Sequence, residues 1–226
     1  MTRPLLCLVT DRQRLSRELA TARVEPAALL LRQIEGAVKG EIDLVQIREN
    51  DLDTRTLARV VREAVALASG SKTRIVVNER VDVALAANAG GVHLREASAE
   101  TAAVRRIARR LCIGRSVHSV EGVRRSGDVD YLIAGTTFSS PSKPDASAHL
   151  GEEGLRQIVM AAGAVPVLAI GGVTESTAAR LGRAGAAGLA GIGAFLPSAE
   201  ASDVAAEVAE IARRLRFVFD TASAIT

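Results

Sequence analysis

Residues 165–194 read VPVLAIGGVTESTAARLGRAGAAGLAGIGA and contain a complete strand–helix–strand unit. A first apolar run ends in Gly171-Gly172, and a second apolar run ends at Gly193. The segment between the two runs has the apolar spacing of a helix, and Thr174 stands where an N-cap belongs. Apolar strands that alternate with helices are typical of a parallel sheet covered on both faces. The stretch therefore predicts one βα unit of such a sheet.

The same alternation extends through the rest of the chain. The apolar runs predicted as strands cover 5–10, 42–48, 74–78, 91–94, 112–117, 131–135, 165–170 and 187–192. The predicted helices cover 29–38, 54–68, 81–89, 99–110, 120–126, 152–162, 175–184 and 199–215. The expected N-caps are Ser98, Ser119 and Thr174.

Eight βα units favour a single (β/α)8 TIM barrel, an α/β fold for which 226 residues is an ordinary length. A doubly wound sheet would need a glycine-rich fingerprint after its first strand. The first predicted strand instead ends in Thr10-Asp11-Arg12, and the glycines cluster late in the chain. We expect the barrel domain to cover 1–216 and the remaining residues, 217–226, to form a peripheral C-terminal tail.

Composition limits the partners of the protein. The net charge is +3, and the chain has no Trp, one Tyr and four Phe. Nucleic-acid surfaces combine clustered basic residues with aromatic stacking platforms, so we expect no nucleic-acid partner. No apolar run approaches the length that spans a bilayer, so we expect no membrane partner either. Cys7 and Cys112 lie in apolar runs, as buried free thiols do in a reducing cytoplasm, where we expect the protein to reside.

Polar and glycine residues follow the apolar runs. In a barrel of this type, the residues after each strand build the active site at one rim. A single polar residue at a strand end is often only a turn or a cap, but eight such ends together favour a site for a polar ligand. These residues are Thr10, Asp11, Gln46, Arg48, Asn78, Glu79, His93, Arg95, Ser116, His118, Thr136, Thr137, Ser140, Gly171, Gly172, Gly191 and Gly193.

The last two strand ends favour a phosphate ligand. Gly171 and Gly172 follow the seventh strand, and Ile192 and Gly193 follow the eighth. Small residues allow backbone N–H groups to approach an anion, and phosphate sites after strands seven and eight recur in this barrel. The alternative is that these glycines only permit tight turns. We favour phosphate binding, which suits a mildly basic protein.

Two further features carry candidate chemistry. The loop after the sixth strand holds Ser140, Ser142 and Lys143, which supply hydroxyl groups and a positive charge to phosphate, unless the loop is only solvated. His118 ends the fifth strand and is the best candidate for proton transfer, because imidazole both takes and returns a proton near neutral pH. The alternative for His118 is a packing or capping role.

At these positions the chain resembles the thiamine phosphate synthase and TenI-like thiazole tautomerase family. The resemblance runs from about Leu5 to Leu196 and is specific in the order and spacing of its motifs. The motifs are Val45-Gln46-Ile47-Arg48-Glu49, Val77-Asn78-Glu79-Arg80 with Gly91-Val92-His93-Leu94, Gly114-Arg115-Ser116-Val117-His118-Ser119, and Ala169-Ile170-Gly171-Gly172-Val173.

The resemblance implies two enzyme activities. The synthase joins an aminopyrimidine diphosphate to a thiazole phosphate, releases pyrophosphate and needs Mg²⁺. The family pattern has two Asp residues and a Lys where this chain has Glu79, Ser98 and Asn50. Glu79 is a possible metal ligand if the protein is a synthase, whereas Ser98 is a poor one. These replacements weaken a diphosphate site and favour the tautomerase branch.

The tautomerase branch aromatises a carboxythiazole phosphate by a proton shift and needs no metal or other cofactor. The resemblance implies His118 as acid and base, Gln46 and Arg48 as ligands of the substrate carboxylate, and main-chain groups near Gly172 and Gly193 as ligands of the phosphate. Asn78 and Ser116 complete the predicted substrate-binding set. Thiazole tautomerase is the favoured function, and thiamine phosphate synthase is the first alternative. A non-catalytic regulator that binds a phosphate ligand is the other, and a homodimer is possible.

Overall fold

A computed structural model describes residues 5–19, 25–139 and 149–223 of the chain. Their parallel strands form one closed barrel in sequence order, and β1 pairs with β8 to complete it. The strands are β1 Leu5–Val9, β2 Leu44–Ile47, β3 Arg74–Asn78, β4 Gly91–Leu94, β5 Cys112–Val117, β6 Tyr131–Ala134, β7 Val167–Ile170 and β8 Gly188–Gly191. The predicted (β/α)8 barrel is confirmed.

Helices cover the outside of the barrel. Within the described residues they are α1 Arg12–Glu18, α2 Pro26–Lys39, α3 Thr54–Leu67, α4 Val81–Ala86, α5 Thr101–Ile107, α6 Val120–Arg124, α7 Gly151–Ala162, α8 Glu175–Arg183 and α9 Val204–Ser223. A short 3-10 turn, Gly193–Phe195, follows β8. None of the described helices is both long and apolar enough to cross a membrane.

The structure differs from the sequence predictions at both ends of the chain. Helix α1 was not predicted, because its seven residues bury only Leu15 and so carry almost no apolar period. Helix α9 continues to Ser223 instead of ending at Leu215, and Phe219 is buried against the main core. Residues 217–223 of the predicted C-terminal tail, 217–226, thus continue α9, which packs through Phe219.

The three predicted N-caps have different outcomes. The hydroxyl of Ser119 caps α6 by accepting from the amide of Gly122, and Thr174 forms a capping box at α8. Ser98 does not cap α5, whose N-cap is Glu100. The hydroxyl of Ser98 instead donates to Oε1 of Glu79, at 2.6 Å. A short polar side chain bonds wherever a partner lies within reach, and sequence spacing alone does not identify that partner.

Two apolar layers stabilise the barrel. The larger lies between the strands and the helices and contains outward-facing residues such as Leu8, Val45 and Leu132. The smaller fills the barrel interior and contains Cys7, Val9, Leu44, Val76, Tyr131, Ile133, Leu168 and Ala190. Cys7 and Cys112 are free thiols, as predicted, but only Cys7 is fully buried, and burial raises the pKa of Cys7 to about 12. Strands buried on both faces explain why their sequences are almost continuously apolar.

Tyr131 is the largest side chain in the barrel interior, and Gly114 makes room for it. A Cβ atom built on Gly114 would lie 2.1 Å from the phenol ring of Tyr131, which supplies all three of its nearest atoms. The phenol hydroxyl also lies 3.2 Å from Nδ1 of His93. The tyrosine therefore fills the interior directly below the polar groups at the C-terminal ends of β4 and β5.

Replacing Gly114 by Ala should lower the free energy of unfolding by about 1–3 kcal/mol, because the added methyl group overpacks the interior. In a Tyr131→Leu background, the same change should cost at least about 1 kcal/mol less, since the clashing ring is gone. Urea unfolding of the four proteins in this double-mutant cycle measures the coupling. Equal costs in the two backgrounds would contradict the assigned packing.

Candidate active site

Three of the predicted substrate-binding residues, Gln46, Asn78 and Ser116, lie with His93 in the upper barrel interior. Gln46 Nε2 donates to Asn78 Oδ1 at 2.9 Å, across β2 and β3. His93 Nε2 and Ser116 Oγ lie 2.9 Å apart, across β4 and β5. Gln46, Asn78 and His93 are all buried. Neighbouring strand ends thus pair their polar side chains and form an ordered polar floor for a ligand.

His93 lies in this floor as a neutral imidazole. Burial, with the nearby positive charge of Arg115, lowers the pKa of His93 to about 3. A neutral imidazole has one donor and one acceptor nitrogen, and the hydroxyls of Ser116 and Tyr131 face the two nitrogens. His93 therefore orients neighbouring hydroxyl groups and does not carry charge at neutral pH.

Arg48 is exposed at the rim, and its backbone is held by a hydrogen bond to Thr10, the residue that follows β1. Its amide donates to Thr10 Oγ1 at 3.0 Å, and the same hydroxyl donates to Glu49 Oε1 at 2.6 Å. Because the three residues are joined through one hydroxyl, the loop after β2 is fixed to the end of β1. The backbone of Arg48 is thereby held at the C-terminal end of β2.

An ion-pair network extends this connection. Arg12 lies between Glu49, at 3.0 Å, and Asp51, at 2.6 Å. Burial raises the pKa of Glu49, although hydrogen bonds from Thr10 and Arg12 oppose the rise. The hydrogen bonds from Arg12 lower the pKa of Asp51 to about 2. Arg12 is therefore fully engaged within the protein and is not offered to a ligand.

Glu79, the possible metal ligand, is already satisfied by protein donors. Its Oε1 accepts from the amide of Arg95 at 2.8 Å and from Ser98 Oγ at 2.6 Å, and its Oε2 lies 3.5 Å from Arg95 Nε. Across the described ranges, no three His, Cys, Asp or Glu residues are grouped so that they could hold a metal ion. Asn50, where the family pattern has Lys, lies with Oδ1 3.5 Å from Asn78 Nδ2. Arg95 and Ser98 therefore compete with any ion for the oxygens of Glu79, and Ser98 supplies no carboxylate of its own.

His118 stands above Ser116 at the end of β5 and is paired with a carboxylate. Its side chain is 55% exposed, and its Nδ1 is hydrogen-bonded to Oε2 of Glu96. Glu96 lies on the loop after β4 and was not among the predicted site residues. Adjacent parallel strands place their following loops side by side, and this was the available sequence signal for a partner of His118.

The glycines after β7 have both positive φ angles and close neighbours. Gly171 has φ 101° and Gly172 has φ 62°. A Cβ on Gly172 would lie 2.6 Å from that of Phe138, and the carbonyl of Gly172 accepts from Thr177 Oγ1 at 2.8 Å. Tight turning and close packing therefore account for both glycines, and phosphate binding at this turn stays a prediction.

At the end of β8, the guanidinium of Arg14 lies beside Gly193, the second position predicted to bind phosphate. Gly193 is exposed and begins the 3-10 turn, and Ile192 packs partly against the barrel interior. A Cβ on Gly193 would lie 3.3 Å from Nη2 of Arg14, on helix α1. Arg14 was missed because α1 itself was missed. Its position gives the rim positive charge where an anionic group is expected.

The predicted loop residues Ser140, Ser142 and Lys143 lie outside the described residues, so their roles stay predictions. The other predicted residues, on β2, β3, β5, β7 and β8, do lie at the C-terminal rim of the barrel. The structure adds Arg12, Arg14, Glu49 and Glu96 to that rim.

A closed (β/α)8 barrel with paired polar groups at its C-terminal rim defines an α/β-barrel enzyme that acts on a small molecule. Residues 6–195 match the thiamine monophosphate synthase family, and the chain belongs to that family. It is thus related to enzymes of thiamine biosynthesis, as the motifs predicted.

Several relatives carry the synthase name. The chain is 37% identical to the thiamine-phosphate synthase of Chloroflexus aurantiacus over 148 residues, which are 65% of this chain and 68% of that protein. It is 32% identical to the putative thiamine-phosphate synthase 2 of Aquifex aeolicus over 176 residues, or 77% of this chain and 88% of that one. These names agree with the synthase alternative and not with the favoured tautomerase.

Solved structures show the same fold. A thiamine phosphate pyrophosphorylase from Pyrococcus furiosus superposes with a TM-score of 0.76 at 29% identity and covers 97% of both chains. A 3-hexulose-6-phosphate synthase superposes with a TM-score of 0.61 at 18% identity, covering 95% of this chain and 99% of that one. The second likeness concerns the barrel alone.

The lowered pKa of His93 should make stability depend on pH. Between the ordinary value of 6.5 and about 3, the unfolded chain binds a proton that the folded chain lacks. The free energy of unfolding should therefore fall as pH drops through this window, by up to about 1.4 kcal/mol per pH unit from this group. Urea unfolding at several pH values should show a shallower slope for His93→Gln than for wild type.

Tyr131→Phe is the matched control, because it removes the hydroxyl beside Nδ1 but keeps the imidazole buried. Its slope should equal that of wild type even if its overall stability is lower. A His93→Gln protein with an unchanged slope would show that His93 does not hold the low pKa.

Proposed function

We propose that the protein is a thiazole tautomerase that moves a proton on a carboxythiazole phosphate, with His118 as acid and base. The observation that carries the proposal is the hydrogen-bonded pair of His118 and Glu96 at the accessible rim. An imidazole that is both exposed and oriented can accept a proton from one atom of a bound substrate and return it to another.

The surrounding groups suit the two charged ends of such a substrate. Arg48 is exposed and follows Gln46 by two residues at the end of β2, and a guanidinium together with a side-chain amide can bind a carboxylate. The turns at Gly172 and Gly193 lie after β7 and β8, where barrels of this type bind phosphate. Arg14 adds positive charge beside Gly193. Ser116 lies between these ends and is held by His93.

A proton shift also suits the chemistry around Glu79. The reaction needs no leaving group of high charge and hence no metal ion to neutralise one. Glu79 is engaged with Arg95 and Ser98, an arrangement that supports the loop after β4. We therefore propose that the reaction proceeds without a cofactor.

The second candidate is thiamine phosphate synthase, and the names of the relatives favour it. The two candidates share the barrel, the rim and a thiazole phosphate, but they differ in whether a diphosphate must be bound and displaced. In this chain Ser98 does not provide the second carboxylate of the family pattern, and Asn50 does not provide its lysine cation. These two residues make the tautomerase the first candidate.

Replacing His118 by Gln should lower kcat for the conversion of the carboxythiazole phosphate about 10²- to 10⁴-fold, because the group that transfers the proton is lost. Absorbance of the aromatic product, recorded with excess EDTA, measures the rate. Binding of the aromatic thiazole phosphate by calorimetry should be unchanged and serves as the control. Full activity in His118→Gln would refute the assigned role.

Pyrophosphate release separates the two candidates. Wild-type protein given the aminopyrimidine diphosphate and the thiazole phosphate should release no pyrophosphate above background, with or without Mg²⁺. The double variant Ser98→Asp, Asn50→Lys restores both missing groups of the family pattern. It is the matched variant, and it tests whether these two groups are enough to give pyrophosphate release. Mg²⁺-dependent release by wild type at ordinary enzyme rates would establish the synthase function instead.

A further inference from the structure

We infer that Glu96 is the positioning residue that fixes the tautomer of His118 and leaves Nε2 as the proton acceptor. The effect of Glu96 on turnover rests on the proposed function, whereas its effect on the tautomer of His118 does not. No family motif quoted above includes Glu96, and the pairing arises only because β4 and β5 are neighbours in the barrel.

The hydrogen bond determines which nitrogen carries the proton. Glu96 Oε2 is bonded to His118 Nδ1, and an ionised carboxylate can only accept. In the neutral imidazole, Nδ1 must then hold the hydrogen, and Nε2 keeps its lone pair. Since Glu96 occupies Nδ1, the lone pair of Nε2 stays available to accept a proton. The side chain of Glu96 is 24% exposed, less than half the 55% of His118.

The loop that carries Glu96 is anchored by a buried arginine. Arg115, on β5, is 4% exposed. Its Nη1 donates to the main-chain oxygen of Glu96 at 3.2 Å, and its Nη2 donates to that of Ala99. One guanidinium thus fixes the backbone on both sides of the loop. Glu96 is consequently held at a defined distance from the end of β5, where His118 begins the next loop.

Helix α6 leaves space for the carboxylate. A Cβ built on Gly122 would lie 2.2 Å from Oε1 of Glu96. Any larger residue at this position must therefore displace the carboxylate, which is the movable end of a flexible side chain. On the same side, Arg125 Nη2 lies 4.0 Å from Oε1 and supplies a counter-charge. The carboxylate is thus confined between Gly122, Arg125 and His118.

Nitrogen-15 NMR of the imidazole rings tests the tautomer directly, without any substrate. With its imidazole in the uncharged form, wild-type His118 should show a protonated Nδ1 and an unprotonated Nε2. Glu96→Ala should convert this spectrum to the mixture of tautomers of a solvated histidine. Gly122→Ala should shift it in the same direction while all ionisable groups are kept. The chain has three histidines, so His118→Gln identifies the signal.

Glu121→Ala is the matched control, because Glu121 is a neighbouring carboxylate that forms ion pairs with Arg124 and Arg125. Its spectrum should equal that of wild type. If Nδ1 of His118 remains protonated in both Glu96→Ala and Gly122→Ala, the inference is overturned.

Turnover supplies the second readout. If the carboxythiazole phosphate is converted, Glu96→Ala should lower kcat about 10- to 100-fold with little change in KM, because a misoriented base loses more in rate than in binding. An unchanged kcat would overturn the positioning role. If wild type converts no substrate, the proposed function has failed, and the NMR result alone decides whether Glu96 fixes the tautomer of His118.

Discussion

Closure of the barrel between β1 and β8 is the constraint on which the other features depend. Leu5 pairs with Gly188, and a Cβ on Gly188 would lie 1.9 Å from the carbonyl oxygen of Leu5. Only glycine allows the last strand to come this close to the first. Once the ring is closed, all eight parallel strands end at the same rim, and residues far apart in sequence become neighbours.

The rim is ordered by hydrogen bonds between adjacent strand ends before any ligand binds. Pairs such as Gln46 with Asn78 and His93 with Ser116 satisfy polar groups that would be costly to bury alone. Burial keeps His93 neutral, whereas His118 is exposed to solvent and is paired with the carboxylate of Glu96. The same residue type therefore has a structural role at one strand end and is available for proton transfer at the next.

The family relationship and the residues of the rim bear on function in different ways. Relatives named as synthases show that this scaffold belongs to thiamine biosynthesis. The choice between a displacement of diphosphate and a proton shift depends on a few side chains. In the proposed function, Glu79 bonded to Ser98 and His118 bonded to Glu96 serve a proton shift, whereas the names of the relatives favour the displacement.

The sequence by itself determined the barrel, its strand order and most of its rim, because apolar periodicity and polar strand ends are local properties of the chain. It also proposed His118 as a candidate for proton transfer, through a local motif. It did not determine the partner of Ser98, the length of α9 or the role of Glu96. Those were decided only by tertiary structure, because a hydrogen bond between two loops requires the neighbouring strands that bring the loops together.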